Sequence, residues 1–174
     1  WLFGGRSKYP ALGPNPDTAN PVTGLTPRQA RAVLETWDIV RPNLKEHGVR
    51  FFIKLFKAYP QTQAKFKQFE NMDPDTLYDN KRLAAHGNIV MLSISGVVDN
   101  LEDPDTLLEI LKTTGVNHKR RGIEKESFNY VKVVMLEYLE ENLGAEWTPI
   151  ARQGWTLALS AIVKIVYCAY DKPE

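Results

Sequence analysis

An all-α fold is what this sequence predicts, and three observations lead there. Helix-opening signals recur along the chain, at Thr26-Pro-Arg-Gln29, Asp103-Pro-Asp105 and Thr148-Pro-Ile150. Each sets a side-chain oxygen before a proline, whose missing amide costs nothing at a first helical position. Apolar residues then step by threes and fours, and no alternation long enough for a useful strand appears.

Residues 1–24 precede the first of these signals and carry four of the eleven prolines and four of the eleven glycines. No helical or alternating period runs through them, so they are expected to form a flexible N-terminal tail ahead of a domain over 25–174. The tip, Trp1-Leu-Phe-Gly-Gly-Arg-Ser-Lys8, sets two aromatics and a leucine beside two cations. That composition suits either an untethered end or a peripheral membrane contact, with rings in the headgroup region and cations on anionic lipid.

Six helices are expected after the tail, at about 26–40, 43–58, 80–99, 104–119, 125–142 and 148–170. Thr26 and Gln29 have the spacing of a capping box, and Thr148-Pro149 repeats the threonine–proline device for the last helix. Pro60 closes the second helix and Pro74 falls in the loop before the third. Asp103 and Asp105 place negative charge at the positive end of the fourth. Gly48 and Gly87, each inside an expected helix, suit a place where two helices cross closely.

With 174 residues the chain is long enough for one domain with a buried core. A net charge of +1, from 22 basic and 21 acidic residues, gives no basic footprint for nucleic acid. No apolar run reaches the roughly 18 residues of a membrane-spanning helix. The single cysteine, Cys168, leaves no intramolecular disulfide and suits a reducing, cytoplasmic setting, although one thiol can also pair between chains.

His86 and His118 are the residues that carry chemistry. Leu83, His86, Gly87, Val90, Ile94, Val97 and Leu101 fall on one helical face, which turns His86 inward. His118 continues a face marked by Leu108, Leu111 and Gly115, near the end of its helix. A single helical histidine is more often a core or surface residue than a ligand. Imidazole is nonetheless a ready metal ligand at neutral pH, and two of them across an apolar slot supply what an iron porphyrin needs on its axis. Lys119, Arg120 and Arg121 follow His118, where they serve either the negative helix end or an anionic group. The third histidine, His47, lies between Glu46 and Gly48 and is expected at the surface.

Taken in order, these landmarks resemble the globin family over about residues 25–170. Phe51-Phe-Ile-Lys-Leu-Phe-Lys-Ala-Tyr-Pro60 is similar to the globin B helix and the proline after it. Phe66 and Phe69 in Lys65-Phe-Lys-Gln-Phe69 resemble the corner phenylalanine and its downstream partner. His86-Gly87 with Val90 resembles the distal histidine, the crossing glycine and the distal apolar residue. His118-Lys-Arg-Arg-Gly-Ile123 resembles the proximal histidine and the segment after it, and Trp37 falls where many globins carry tryptophan.

The resemblance implies a globin fold of six to eight helices around a haem b pocket. It implies His118 and His86 as the metal-facing residues, and reversible binding of oxygen, carbon monoxide and nitric oxide. Candidate pocket walls are Phe52, Phe66, Phe69, Val90, Leu111, Ile123, Phe128 and Val131. Phe66 stands out among them, because its neighbours Lys65, Lys67 and Gln68 are polar and bare core packing explains it poorly. His86 and His118 stand 32 positions apart, and Ile123 follows His118 by five. Both spacings resemble neuroglobin-like and cytoglobin-like members, in which the distal imidazole itself binds iron until a gas displaces it. His86 is thus expected either to hydrogen-bond the bound gas or to ligate the iron. Ile89 stands where some relatives carry a cation for the haem propionates, leaving that task to Arg82, Arg120, Arg121 or solvent. Alternative roles at the same group are nitric oxide dioxygenation or nitrite reduction with an external reductase, or gas and redox signalling. A monomer and a homodimer are both compatible with the sequence.

Overall fold

The structure, a computed structural model, describes residues 8–171. Six long helices dominate: α1 (Pro27–Val40), α2 (Leu44–Ala58), α4 (Lys81–Asp99), α5 (Pro104–Arg120), α6 (Ser127–Leu143) and α7 (Pro149–Tyr170), with a four-residue turn, α3 (Pro60–Gln63), after α2. Short 3-10 turns occupy Arg41–Asn43, Pro74–Leu77 and Gly144–Glu146, and no strand occurs among the described residues.

The expected opening devices are all in place. Thr26 accepts from the Gln29 amide at 3.2 Å while Gln29 accepts from the Thr26 amide at 3.0 Å, which completes the capping box. Asp103 accepts from the Thr106 amide at 3.2 Å and Thr148 from that of Ala151 at 3.3 Å. The opening of α4 uses Asn80, whose side-chain oxygen takes both the Arg82 and Leu83 amides at 3.0 and 3.1 Å.

α1 packs on α7 through Trp37 and Trp155, whose ring centroids lie 5.6 Å apart. Both indoles are buried, so both N–H groups need partners. Trp37 donates to the Ser95 hydroxyl of α4 and Trp155 to the Thr36 hydroxyl of α1, each at 2.9 Å. α2 and α4 pack together most extensively of any two helices. Gly48 and Gly87 meet at their crossing: a Cβ on Gly48 would lie 2.5 Å from the Gly87 carbonyl carbon, and one on Gly87 2.7 Å from that of Gly48. The two backbones touch with no side chain between them, as expected for these glycines.

Residues 8–24 lie along α1. Arg31 donates to the Pro10 carbonyl at 2.8 Å, the Arg28 amide to the Pro16 carbonyl at 3.1 Å, and the Tyr9 hydroxyl to Asp38 at 2.8 Å. Trp1, Leu2 and Phe3, the residues of the expected membrane contact, are outside the described residues.

Candidate functional site

α4 and α5 each carry one of the candidate histidines, and each ring packs on aromatic side chains. His86 stands on the inward stripe of α4, between the backbone contact at Gly87 and the start of the helix. Its ring meets Phe52 of α2 and Phe66 of the loop after α3, each at a centroid distance of 5.0 Å. Burial in this aromatic corner holds the His86 pKa below its ordinary value, and the positive charge of Arg121 adds to that direction.

His118 occupies the last turn of α5. Its Nδ1 lies 2.8 Å from the Thr114 carbonyl oxygen, one turn earlier. A carbonyl only accepts, so Nδ1 carries the hydrogen and, in the uncharged ring, the Nε2 lone pair is left for a ligand. The same contact fixes the plane of the ring, the arrangement that orients metal-binding histidines. Phe128 of α6 packs edge-on against it at 5.1 Å. Ile123, just past α5, donates its amide to the His118 carbonyl at 3.1 Å and accepts from the Tyr170 hydroxyl at 2.8 Å.

The candidate walls fall into two groups. Phe66, Val90, Phe128 and Val131 are half-buried and packed against the core, and Ile123 is half-buried in the turn after α5. Phe52, Phe69 and Leu111 are buried. Phe69 stacks behind Phe66 at 5.1 Å with only 20° between the rings, so it supports Phe66. Phe56 closes on both, at 5.5 Å from Phe66 and 5.8 Å from Phe69. The polar loop therefore holds Phe66 by ring packing from below.

Arg82, Arg120 and Arg121 are exposed, while Lys119 donates to the Tyr170 carbonyl at 2.9 Å. Lys65 pairs with Glu124 at 2.8 Å and ties the Phe66 loop to the turn after α5.

Three features escaped the sequence reading. Thr114 contributes a backbone carbonyl, which any residue four before His118 supplies, so no side-chain signal marks it. Tyr59, which caps α2, and Tyr130 of α6 stack at 4.4 Å. His47, expected at the surface, is half-buried, with Nδ1 2.7 Å from the Tyr138 hydroxyl of α6. Its partner is 91 positions away, beyond any local pattern.

His118, with Nε2 left over, and the half-buried aromatic rings suit a flat apolar group that takes a nitrogen ligand. Among the described residues no helix is long and apolar enough to cross a membrane. Residues 49–166 match the globin family, which covers both histidines and every candidate wall. The chain is 26% identical over 142 residues to a globin of Nerita albicilla, covering 82% of this chain and 90% of that one. It is 30% identical over 150 residues to cytoglobin-2 of Danio rerio, covering 85% and 84%, and 32% identical over 142 residues to globin CTT-VIII of Chironomus thummi thummi, covering 80% and 90%. These matches establish that the chain belongs to the globin family.

Proposed function

We propose that the chain binds haem b through His118 and takes up diatomic gases reversibly on the His86 side, with His86 as an internal ligand that the gas displaces. Haem-based gas binding is the general property of the family, and the haem supplies the iron at which oxygen, carbon monoxide or nitric oxide attaches. The observation that carries the residue roles is the His118 contact with Thr114 at 2.8 Å, which leaves Nε2 as the free nitrogen of an oriented ring.

The other residues have separable tasks. Phe128 and Ile123 hold the His118 ring and the turn behind it. Phe66, braced by Phe69 and Phe56, supplies a flat apolar face and keeps water from the slot. Arg82, Arg120 and Arg121 offer cations to anionic edges at the rim. His86 is kept in its uncharged form by burial and by the charges of its surroundings, and only that form has a lone pair to offer. The chain's match to cytoglobin-2, together with the 32-residue interval between His86 and His118, supports His86 as ligand over His86 as hydrogen-bond donor alone.

Absorption spectra of the ferric and ferrous protein test this reading. The ferrous form without added gas is expected to be six-coordinate, and His86→Leu is expected to convert it to five-coordinate high spin. Carbon monoxide affinity then rises in the variant, because the fraction of binding-competent protein no longer limits it. A five-coordinate ferrous spectrum in the unaltered protein at neutral pH refutes His86 as ligand while leaving His118 in place. Absence of haem bands after reconstitution refutes the whole reading.

A further inference from the structure

The His47–Tyr138 hydrogen bond sits at the far end of two continuous connections to His86. The first runs through backbone. His47 immediately precedes Gly48 and His86 immediately precedes Gly87, and those glycines are the residues whose backbones touch. No compressible side chain separates the helices there, so a displacement of α2 passes directly to α4. The second runs through rings. His47 meets Tyr138 edge-on at 5.9 Å, Tyr138 meets Phe51 at 6.1 Å, Phe51 meets Phe52 at 5.4 Å, and Phe52 meets His86 at 5.0 Å. Phe51, Phe52 and Tyr138 are all buried, which leaves little room for one ring to move without the next.

We propose that His47 is a positioning residue: its hydrogen bond to Tyr138 fixes α2 against α6 and, through the glycine crossing and the ring chain, sets where His86 stands. This rests on the reading of His86 as the gas-side histidine.

The bond has two states. Uncharged His47 accepts a hydrogen bond from the Tyr138 hydroxyl at Nδ1. Tyr138 stays a donor through the physiological range, since burial raises its pKa to about 12. Protonated His47 carries hydrogen on Nδ1 and cannot accept, so two donors would face each other at 2.7 Å. Either the rings part or the tyrosine oxygen turns to accept, which strands its proton in a buried place. The charges that act on His47 are Arg50 and Glu46, both on α2, and those on Tyr138 are the same two and Glu141 of α6. Lys54 of α2 bridges to Glu137 and Glu141, so the second α2–α6 tie beside this bond is ionic.

Two variants of the full chain, loaded with haem and saturated with carbon monoxide, provide the test. Tyr138→Phe keeps the ring chain and deletes the hydroxyl; His47→Gln keeps an acceptor that does not titrate. Amide NMR at pH 7 is expected to show Tyr138→Phe shifting Gly87 and Asn88 as well as residues near the deletion, with a smaller shift in His47→Gln. Carbon monoxide affinity is expected to rise in Tyr138→Phe by between about two- and tenfold, the span one neutral hydrogen bond can bias. It returns toward the unaltered value in His47→Gln. In a His86→Leu background, which removes the neighbouring imidazole's own titration, the Gly87 amide follows the His47 ring as pH falls from 7 to 5. That response disappears when His47→Gln is added. Shifts confined to α2 and α6, with Gly87 still, overturn the proposal even if Tyr138→Phe unfolds earlier. Gly87 shifts in a protein whose ferrous haem is five-coordinate support the positioning role and refute only the ligation by His86.

Discussion

Gly48→Ala reverses the sign that helix propensity alone assigns to it. In an ordinary helix interior the change stabilises by about 1 kcal/mol. Here the new methyl would lie 2.5 Å from the Gly87 carbonyl carbon, 2.6 Å from its oxygen and 2.8 Å from its Cα. Ordinary contact begins near 3.4 Å, so α2 and α4 must part by roughly 0.9 Å. The obstacle is backbone, which cannot rotate aside. A gap of about 0.5–1 Å forfeits a quarter to a half of the dispersion energy of each contact it opens, and α2 and α4 share the largest helix–helix contact in the fold. Overpacking of this kind costs about 1–3 kcal/mol, and backbone on both sides puts this case at the upper end. Set against the propensity gain, the net loss is about 2 kcal/mol. Urea unfolding of the haem-free chain followed by far-ultraviolet circular dichroism measures it as a lower midpoint at unchanged slope. A midpoint equal to or above that of the unaltered chain would falsify the crossing as described.

Further outcomes follow from the site and its surroundings. His118→Ala is expected to leave haem loosely held and miscoordinated, with partial rescue by free imidazole; retention and spectra equal to the unaltered protein refute the assignment. Removal of residues 1–24 is expected to lower stability by about 1–2 kcal/mol, because exposed ties such as Arg28–Asp17 contribute little each while Thr23 is buried. If Trp1, Leu2 and Phe3 contact membranes, the same deletion also reduces binding to anionic vesicles; equal, negligible binding by both forms removes that role. Acid destabilises the haem-free chain through His47, whose folded pKa lies below the ordinary 6.5 because burial penalises its charged form. The unfolded chain therefore binds the proton first, and stability falls as pH drops from about the unfolded value through the folded one. His47→Gln flattens that part of the stability profile, and an unchanged profile shows that His47 does not carry it.

How much of this was legible beforehand depends on the distance over which each signal acts. Helix starts are local: Thr26, Asp103 and Thr148 each accept the amide three residues on, and all three devices stand where the sequence placed them. The inward phase of His86 is local as well, because steps of three and four on one helix decide it. Gly48 and Gly87 were legible as candidates for a close crossing, since glycine inside a helix invites a reason. That they meet each other is a property of two helices, and only the fold pairs them.

The half-buried His47 marks where local reasoning stops. Its neighbours Glu46 and Arg50 are exposed, which argues for surface, and nothing in α2 announces a hydroxyl 91 residues later. Burial of a polar ring requires a partner, so the side chain that appeared least constrained turns out to be held by a specific long-range bond. The same logic separates the candidate walls. Phe69 and Phe66 look alike as aromatics three apart in a polar loop, yet Phe69 is buried and Phe66 only half-buried. Stacking at 5.1 Å makes them a single unit whose lower ring fixes the upper one. A substitution at Phe69 therefore reaches His86 only indirectly, through Phe66 and Phe56, whereas one at Phe66 changes the ring that meets His86 itself.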